Sequence, residues 1–117
     1  MTVKECYEAA GANFDDVMGR LGNEALVKRF ALAFLKDTSF EKLKEAMAAK
    51  NAENAFSAAH TLKGVSANLG FSKLTEVSSE LTEKLRGRSL EGSEPLFAAV
   101  EERYTKVVEA VKQLAEG

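Results

Sequence analysis

Apolar residues in this chain recur at spacings of three and four rather than two, the period of a helix face and not of a strand. The pattern predicts a short helix from Val3 to Ala10. It predicts a second in NFDDVMGRL, where Asn13 stands as a cap before acids in the first turn. A longer helix is expected from about Asn23 to Lys36, with Leu26, Phe30 and Phe34 on one stripe. The run DTS supplies caps for the next, Phe40 to Lys50, which carries Phe40, Leu43 and Met47 inward. Asn51 caps a third long helix that ends at Gly70, and a fourth from Phe71 to Arg86 carries Leu74, Val77, Leu81 and Leu85. Beyond the loop GRSLEGSE, Pro95 suits the first position of a last helix. Its stripe of Phe97, Val100, Tyr104, Val107, Val108, Val111 and Leu114 is the clearest in the chain.

Short links between amphipathic helices favour antiparallel neighbours. The expected fold is therefore all-α, an up-down antiparallel four-helix bundle with additional N-terminal helices. Residues 38–117 are assigned to the bundle, and residues 1–37 to accessory helices, of which the Asn23 to Lys36 helix covers one end or side. Length agrees: 117 residues with 45% hydrophobic content make one domain with one core.

Charge and cysteine usage narrow the function. A net charge of −2 with no block of like charge gives no reason to expect nucleic acid or an acidic membrane as partner. Cys6 is the only cysteine, so no disulfide can form within the chain, and with one histidine no usual zinc ligand set is available. No stretch approaches the roughly 20 apolar residues of a membrane span, and the N-terminal residues lack the apolar run of a signal peptide. A soluble cytoplasmic domain is expected.

The single histidine lies in AAHTLKGVSANLG, residues 58–70, with Lys63 three places on and Gly64 four places on. A glycine inside a helix costs roughly 1 kcal/mol relative to alanine. On a wheel advancing about 100° per residue, Ala55, Ala58, Ala59, Leu62, Val65, Ser66 and Leu69 form the core face. His60, Lys63, Gly64 and Ala67, with Phe56 one turn earlier, point away from it. Residues four apart stack along a helix, so Gly64 lies beside His60, and its missing Cβ lets a partner or a bulky group on the ring come close. A neutral exposed imidazole offers a nitrogen that can attack an electrophile. A phosphoryl group is the candidate, because its transfer needs mostly positioning and charge neutralisation, to which Lys63 can contribute.

Taken singly, each of these residues has an ordinary reading: a helical histidine or lysine is usually solvated surface, and Phe56 could cover the end of a neighbouring helix. Their conjunction on one face carries the weight. Neither a glycine-rich nucleotide loop nor a cluster of metal-ligating residues accompanies the ring, so an autonomous kinase or phosphatase has little support. On the following helix, Thr75, Ser79, Thr82 and Arg86 share one flank, and Ser79, Thr82 and Arg86 are candidates to meet a partner near the ring.

HTLKGVSANLG resembles the signature of histidine-containing phosphotransfer (HPt) domains: a histidine, a lysine three on, a glycine four on, and a small-residue run ending in an apolar residue and glycine. LGNEALVKRFALAFLKD and FSKLTEVSSELTEKLRGR resemble flanking helices of that family. The resemblance implies that His60 is phosphorylated, on Nε2, and exchanges the group with an aspartate of a response-regulator receiver domain or accepts it from a sensor histidine kinase. Lys63 would contact the phosphoryl oxygens, and Gly64 would admit the receiver. Mg²⁺ would belong to the receiver, so no cofactor is assigned to this chain, and a monomer is expected. Where the family often has an acidic or amide residue on the following helix, this sequence has Thr82. The competing expectation is a helical interaction module that docks a partner through Phe56, Gly64 and Ala67 while His60 stays inert.

Overall fold

Three asparagines open three of the helices by the same local device. The side-chain oxygens of Asn13, Asn23 and Asn51 accept from the backbone amides of Asp16, Leu26 and Asn54 at 2.9 to 3.1 Å, each satisfying a donor that the first helical turn leaves free. The computed structural model describes all 117 residues, in seven α-helices and no strand. They are α1 (Val3–Ala9), α2 (Phe14–Leu21), α3 (Glu24–Ala33), α4 (Ser39–Ala48), α5 (Ala52–Asn68), α6 (Ser72–Leu85) and α7 (Glu94–Glu116), with a 3₁₀ turn, Phe34–Lys36, extending α3. None is long and apolar enough to cross a membrane.

Helices α4 to α7 form the antiparallel four-helix bundle. Successive helices pack side by side, and α5 lies between α4 and α6. The bundle closes between its first and last helices through large rings: Phe40 of α4 stacks on Tyr104 of α7 with ring centres 4.2 Å apart, and on Phe97 at 5.9 Å. Lys44 and Glu101 add an ion pair of 3.7 Å across the same seam, where exposure leaves it little energetic weight.

The accessory helices share the core of the bundle. Helices α1 and α3 both lie against α7, and buried Val3, Cys6, Tyr7 and Val17 belong to one cluster with Leu62, Leu81 and Val111. An unbroken aromatic run threads this junction, from Phe14 through Tyr7, Phe71, Phe34, Tyr104 and Phe40 to Phe97, with neighbouring ring centres 4.2 to 5.9 Å apart. Edge and offset contacts of this kind add to the burial of the rings themselves. The run takes in both tyrosines and five of the seven phenylalanines, so only Phe30 and Phe56 stand outside it.

Helix α3 corrects the sequence reading. Its inward residues are Val27, Ala31 and Phe34, and Phe30 is 43% exposed. The sequence holds two overlapping stripes one residue apart, Leu26/Phe30 and Val27/Ala31, and both converge on Phe34. Placing Ala31 inward keeps bulk out of the packed seam, while Phe30 moves to the flank, where it lines a shallow cleft with Leu21, Val65 and Leu69.

Candidate functional site

Helix α5 turns a face of small residues inward. Ala55, Ala58, Ala59 and Ser66 are buried with Leu62. The Ser66 hydroxyl donates to the Lys63 carbonyl at 3.1 Å and lies 3.0 Å from the Thr75 hydroxyl of α6, whose proton it shares with the Phe71 carbonyl, a polar contact between α5 and α6.

With that face settled, His60 stands exposed on the opposite side in mid-helix, eight residues after the start of α5 and eight before its end. Gly64 is exposed one turn further on, and a Cβ built there would meet nothing within 4 Å. The missing side chain therefore relieves no crowding inside the protein. It leaves open space beside the imidazole.

The C-terminal end of α5 is tied down by the accessory helices. Tyr7 Oη donates to the Leu69 carbonyl at 2.6 Å, Arg20 donates to the Ala67 carbonyl at 3.0 Å, and the Asn13 amide donates to the Gly70 carbonyl at 2.9 Å. Tyr7 is the only donor to the Leu69 carbonyl, a helix-end group without an intrahelical partner, while the Ala67 and Gly70 carbonyls also accept from the backbone amides of Gly70 and Ser72, so together the three contacts hold the end of the histidine helix against α1 and α2. Gly70 has φ 75°, and a Cβ there would lie 3.0 Å from the Asn13 carbonyl oxygen and 3.1 Å from Val17 Cβ. Only glycine combines that backbone conformation with that closeness.

Around the ring, Phe56 lies one turn before His60 with ring centres 6.1 Å apart and planes 15° from parallel. The guanidinium of Arg88, in the loop after α6, sits 3.9 Å from the centre of the Phe56 ring, and that of Arg86 sits 5.4 Å from it, an arrangement that attracts cations to the ring face. Arg88 holds a left-handed φ of 61° and donates to the Arg86 carbonyl at 2.8 Å. Glu83 grips Arg86 with both carboxylate oxygens, Nε to Oε2 at 2.7 Å and Nη2 to Oε1 at 3.0 Å. The hydrogen bonds and charge of Arg86 hold the Glu83 carboxyl below the usual carboxylate range, and Lys63 and His60 lower it further. Glu83 thus lies within electrostatic reach of both the lysine and the imidazole.

Of the residues singled out in the sequence, the structure brings His60, Phe56 and Arg86 into one patch. Lys63, Ala67 and Ser79 meet in an adjoining cleft of about 440 Å³, walled on its far side by Asp16 of α2. Thr82 is a correction. It is fully buried, and its hydroxyl donates to the Ser78 carbonyl at 2.7 Å, so it is neither a docking residue nor a free donor to the ring. A threonine in a helix readily bonds the carbonyl four residues back. The rotation of α6 buries Ser78, Thr82 and Leu85 together and turns Ser79 and Glu83 outward.

Glu83 and Arg88 escaped the sequence reading. The wheel did hold a signal for Glu83, which falls on the flank of Ser79 and Arg86 as well as Thr82 does. Arg88 had none, because its place depends on how the loop returns. No three His, Cys, Asp or Glu side chains converge in a way that could ligate a metal ion.

A family model of the Hpt domain matches residues 36–115, a segment that contains α4 to α6, His60 and all but the last residue of α7, and leaves α1 to α3 outside. No curated protein and no solved structure matches the chain.

Proposed function

The chain belongs to the Hpt domain family, and from that premise we propose that His60 carries a phosphoryl group between the signalling partners of a phosphorelay. Proteins of this family act in histidine phosphotransfer as phosphocarriers and are not kinases. The observation that carries the assignment to His60 is its exposure in mid-helix beside a glycine whose absent side chain leaves open space.

In the proposed step a lone pair on His60 Nε2 attacks the phosphorus of an aspartyl phosphate on a receiver domain. The P–N bond forms as the P–O bond to the aspartate breaks, and the electron pair of that bond returns to the carboxylate. The reverse step delivers the group to a receiver, and a sensor histidine kinase is the other candidate donor. Lys63 supplies a mobile positive charge for the equatorial oxygens, the main requirement of phosphoryl transfer. Gly64 and Ala67 leave the approach open. Any Mg²⁺ sits on the receiver. The carrier works in the cytoplasm as a monomer, and its single cysteine is buried, which leaves no exposed thiol to join two copies by a disulfide.

The test mixes the protein with a phosphorylated receiver domain, or with a histidine kinase and ATP, and compares wild type with His60→Gln. Acid-labile, base-stable phosphate on the wild type alone is the expected result. Equal labelling of both removes His60 from the mechanism. Partner binding without any labelling favours the interaction module in which the histidine is inert.

A further inference from the structure

We infer that Glu83 and a phosphoryl group on His60 compete for the guanidinium of Arg86, so that Glu83 sets how long the group stays on the ring. The inference rests on the carrier reading above and concerns the regulation of the same site.

The geometry is that of a cation held in reserve. Arg86 is bound by two short contacts to one carboxylate three residues earlier on the same surface. Its guanidinium and the imidazole both lie within 6.1 Å of the same Phe56 ring. The Arg86 and Glu83 side chains are both more than half exposed, so the pair exchanges with solvent and can be rearranged. A phosphoryl group brings up to two negative charges and three acceptor oxygens. An arginine fork suits such a group as well as it suits a carboxylate. Arrival of the group on His60 therefore sets two anions against each other for one cation, with Lys63 as a second positive charge within electrostatic reach of Glu83.

The consequence is kinetic. Hydrolysis of the phosphohistidine transfers the phosphoryl group to a water oxygen as the P–N bond breaks, and the electron pair of that bond remains on the imidazole. A guanidinium that binds the phosphoryl oxygens of the resting phosphoprotein more tightly than those of the transition state for attack by water slows the loss of the group. While Glu83 retains Arg86, that stabilisation is partly withheld. Removing the carboxylate frees the guanidinium and lengthens the life of the group.

The experiment uses phosphoramidate as donor, so that no protein partner has to be known: its P–N bond breaks, ammonia leaves, and the phosphoryl group passes to the imidazole. After removal of donor, the decay of phosphohistidine is followed by ³¹P NMR in wild type, Glu83→Gln, Arg86→Ala and the double variant, with thermal melting as a control for folding. Glu83→Gln is expected to lengthen the half-life about two- to fivefold, the scale of one exposed charge pair made or lost. Arg86→Ala is expected to shorten it, and Glu83→Gln to have no effect in the Arg86→Ala background. Equal half-lives in wild type and Glu83→Gln overturn the inference and leave the carrier reading standing. So does an effect of Glu83→Gln that persists in full without Arg86, which would assign it to the field of the carboxylate alone. Absence of label on His60 overturns the carrier reading and this inference together.

Discussion

The hydroxyl of Tyr7 donates to the Leu69 carbonyl across 2.6 Å, joining the first helix of the chain to the cap of the helix that carries His60. Burial raises the Tyr7 phenol well above its usual range and pushes the neighbouring Cys6 thiol up to about 11. Both groups are neutral when folded and ionise more readily when unfolded, so the unfolded state binds fewer protons as pH rises. The contribution of these two groups to stability is therefore fully present below their unfolded pKa values, near 8.5 for cysteine and 10 for tyrosine, and declines as pH rises through them. Tyr7→Phe is expected to cost roughly 0.5–1.5 kcal/mol at neutral pH through the lost hydrogen bond, and to decline less steeply above about pH 10. Urea midpoints measured from pH 7 to 11 check both; a Tyr7→Phe curve parallel to wild type throughout contradicts the assignment.

Gly64 separates stability from function. Alanine there meets no neighbour in the free protein and is preferred in a helix interior by roughly 1 kcal/mol. Gly64→Ala should accordingly melt a few degrees higher. It should nonetheless slow phosphoryl exchange with a receiver domain, and Gly64→Leu should slow it more, while labelling by phosphoramidate stays near wild type. Unchanged receiver kinetics in both variants would falsify the view that the glycine exists for the partner.

Gly70 behaves in the opposite way. A Cβ at φ 75° and 3.0 Å from the Asn13 carbonyl adds backbone strain to a steric clash. Gly70→Ala is expected to destabilise the fold by roughly 1–3 kcal/mol, read from the denaturant midpoint. Phosphoramidate should still label His60 in whatever fraction remains folded.

Phe56 seats the loop that follows α6. Arg88 adopts its left-handed backbone with its guanidinium against that ring. Phe56→Leu keeps an apolar side chain but removes the π face. Amide exchange at residues 86–89 should then quicken by about two- to fivefold, as for the loss of one exposed cation–π contact. Unaltered exchange there would mean that the loop holds itself.

The elements themselves were legible in the sequence because their ends are written in local chemistry. Asn13 and Asn51 cap their helices, Gly70 closes the one that Asn51 opens, and Pro95 lies in the first turn of the last. The outward setting of His60 could be read for a similar reason: its own helix has a small-residue face that leaves only one rotation open. Helix α3 was harder, since Val27 and Leu26 begin rival stripes and only packing against α1 and α7 chooses between them. Thr82 and Glu83 are neighbours on α6, and which of them reaches the surface depends on the rotation of that helix against α5, where Ser66 and Thr75 meet.

Three bonds reach the far end of the histidine helix from residues 7, 13 and 20, all outside the 36–115 segment that defines the family match. A transplant of that segment alone into another scaffold would carry His60 but lose all three outside donors, leaving the Leu69 carbonyl without a partner and those of Ala67 and Gly70 with only their local backbone donors, the amides of Gly70 and Ser72. An engineered chimera would therefore have to bring the first two helices along, or furnish a replacement donor at the Leu69 oxygen and another clamp for the last turn.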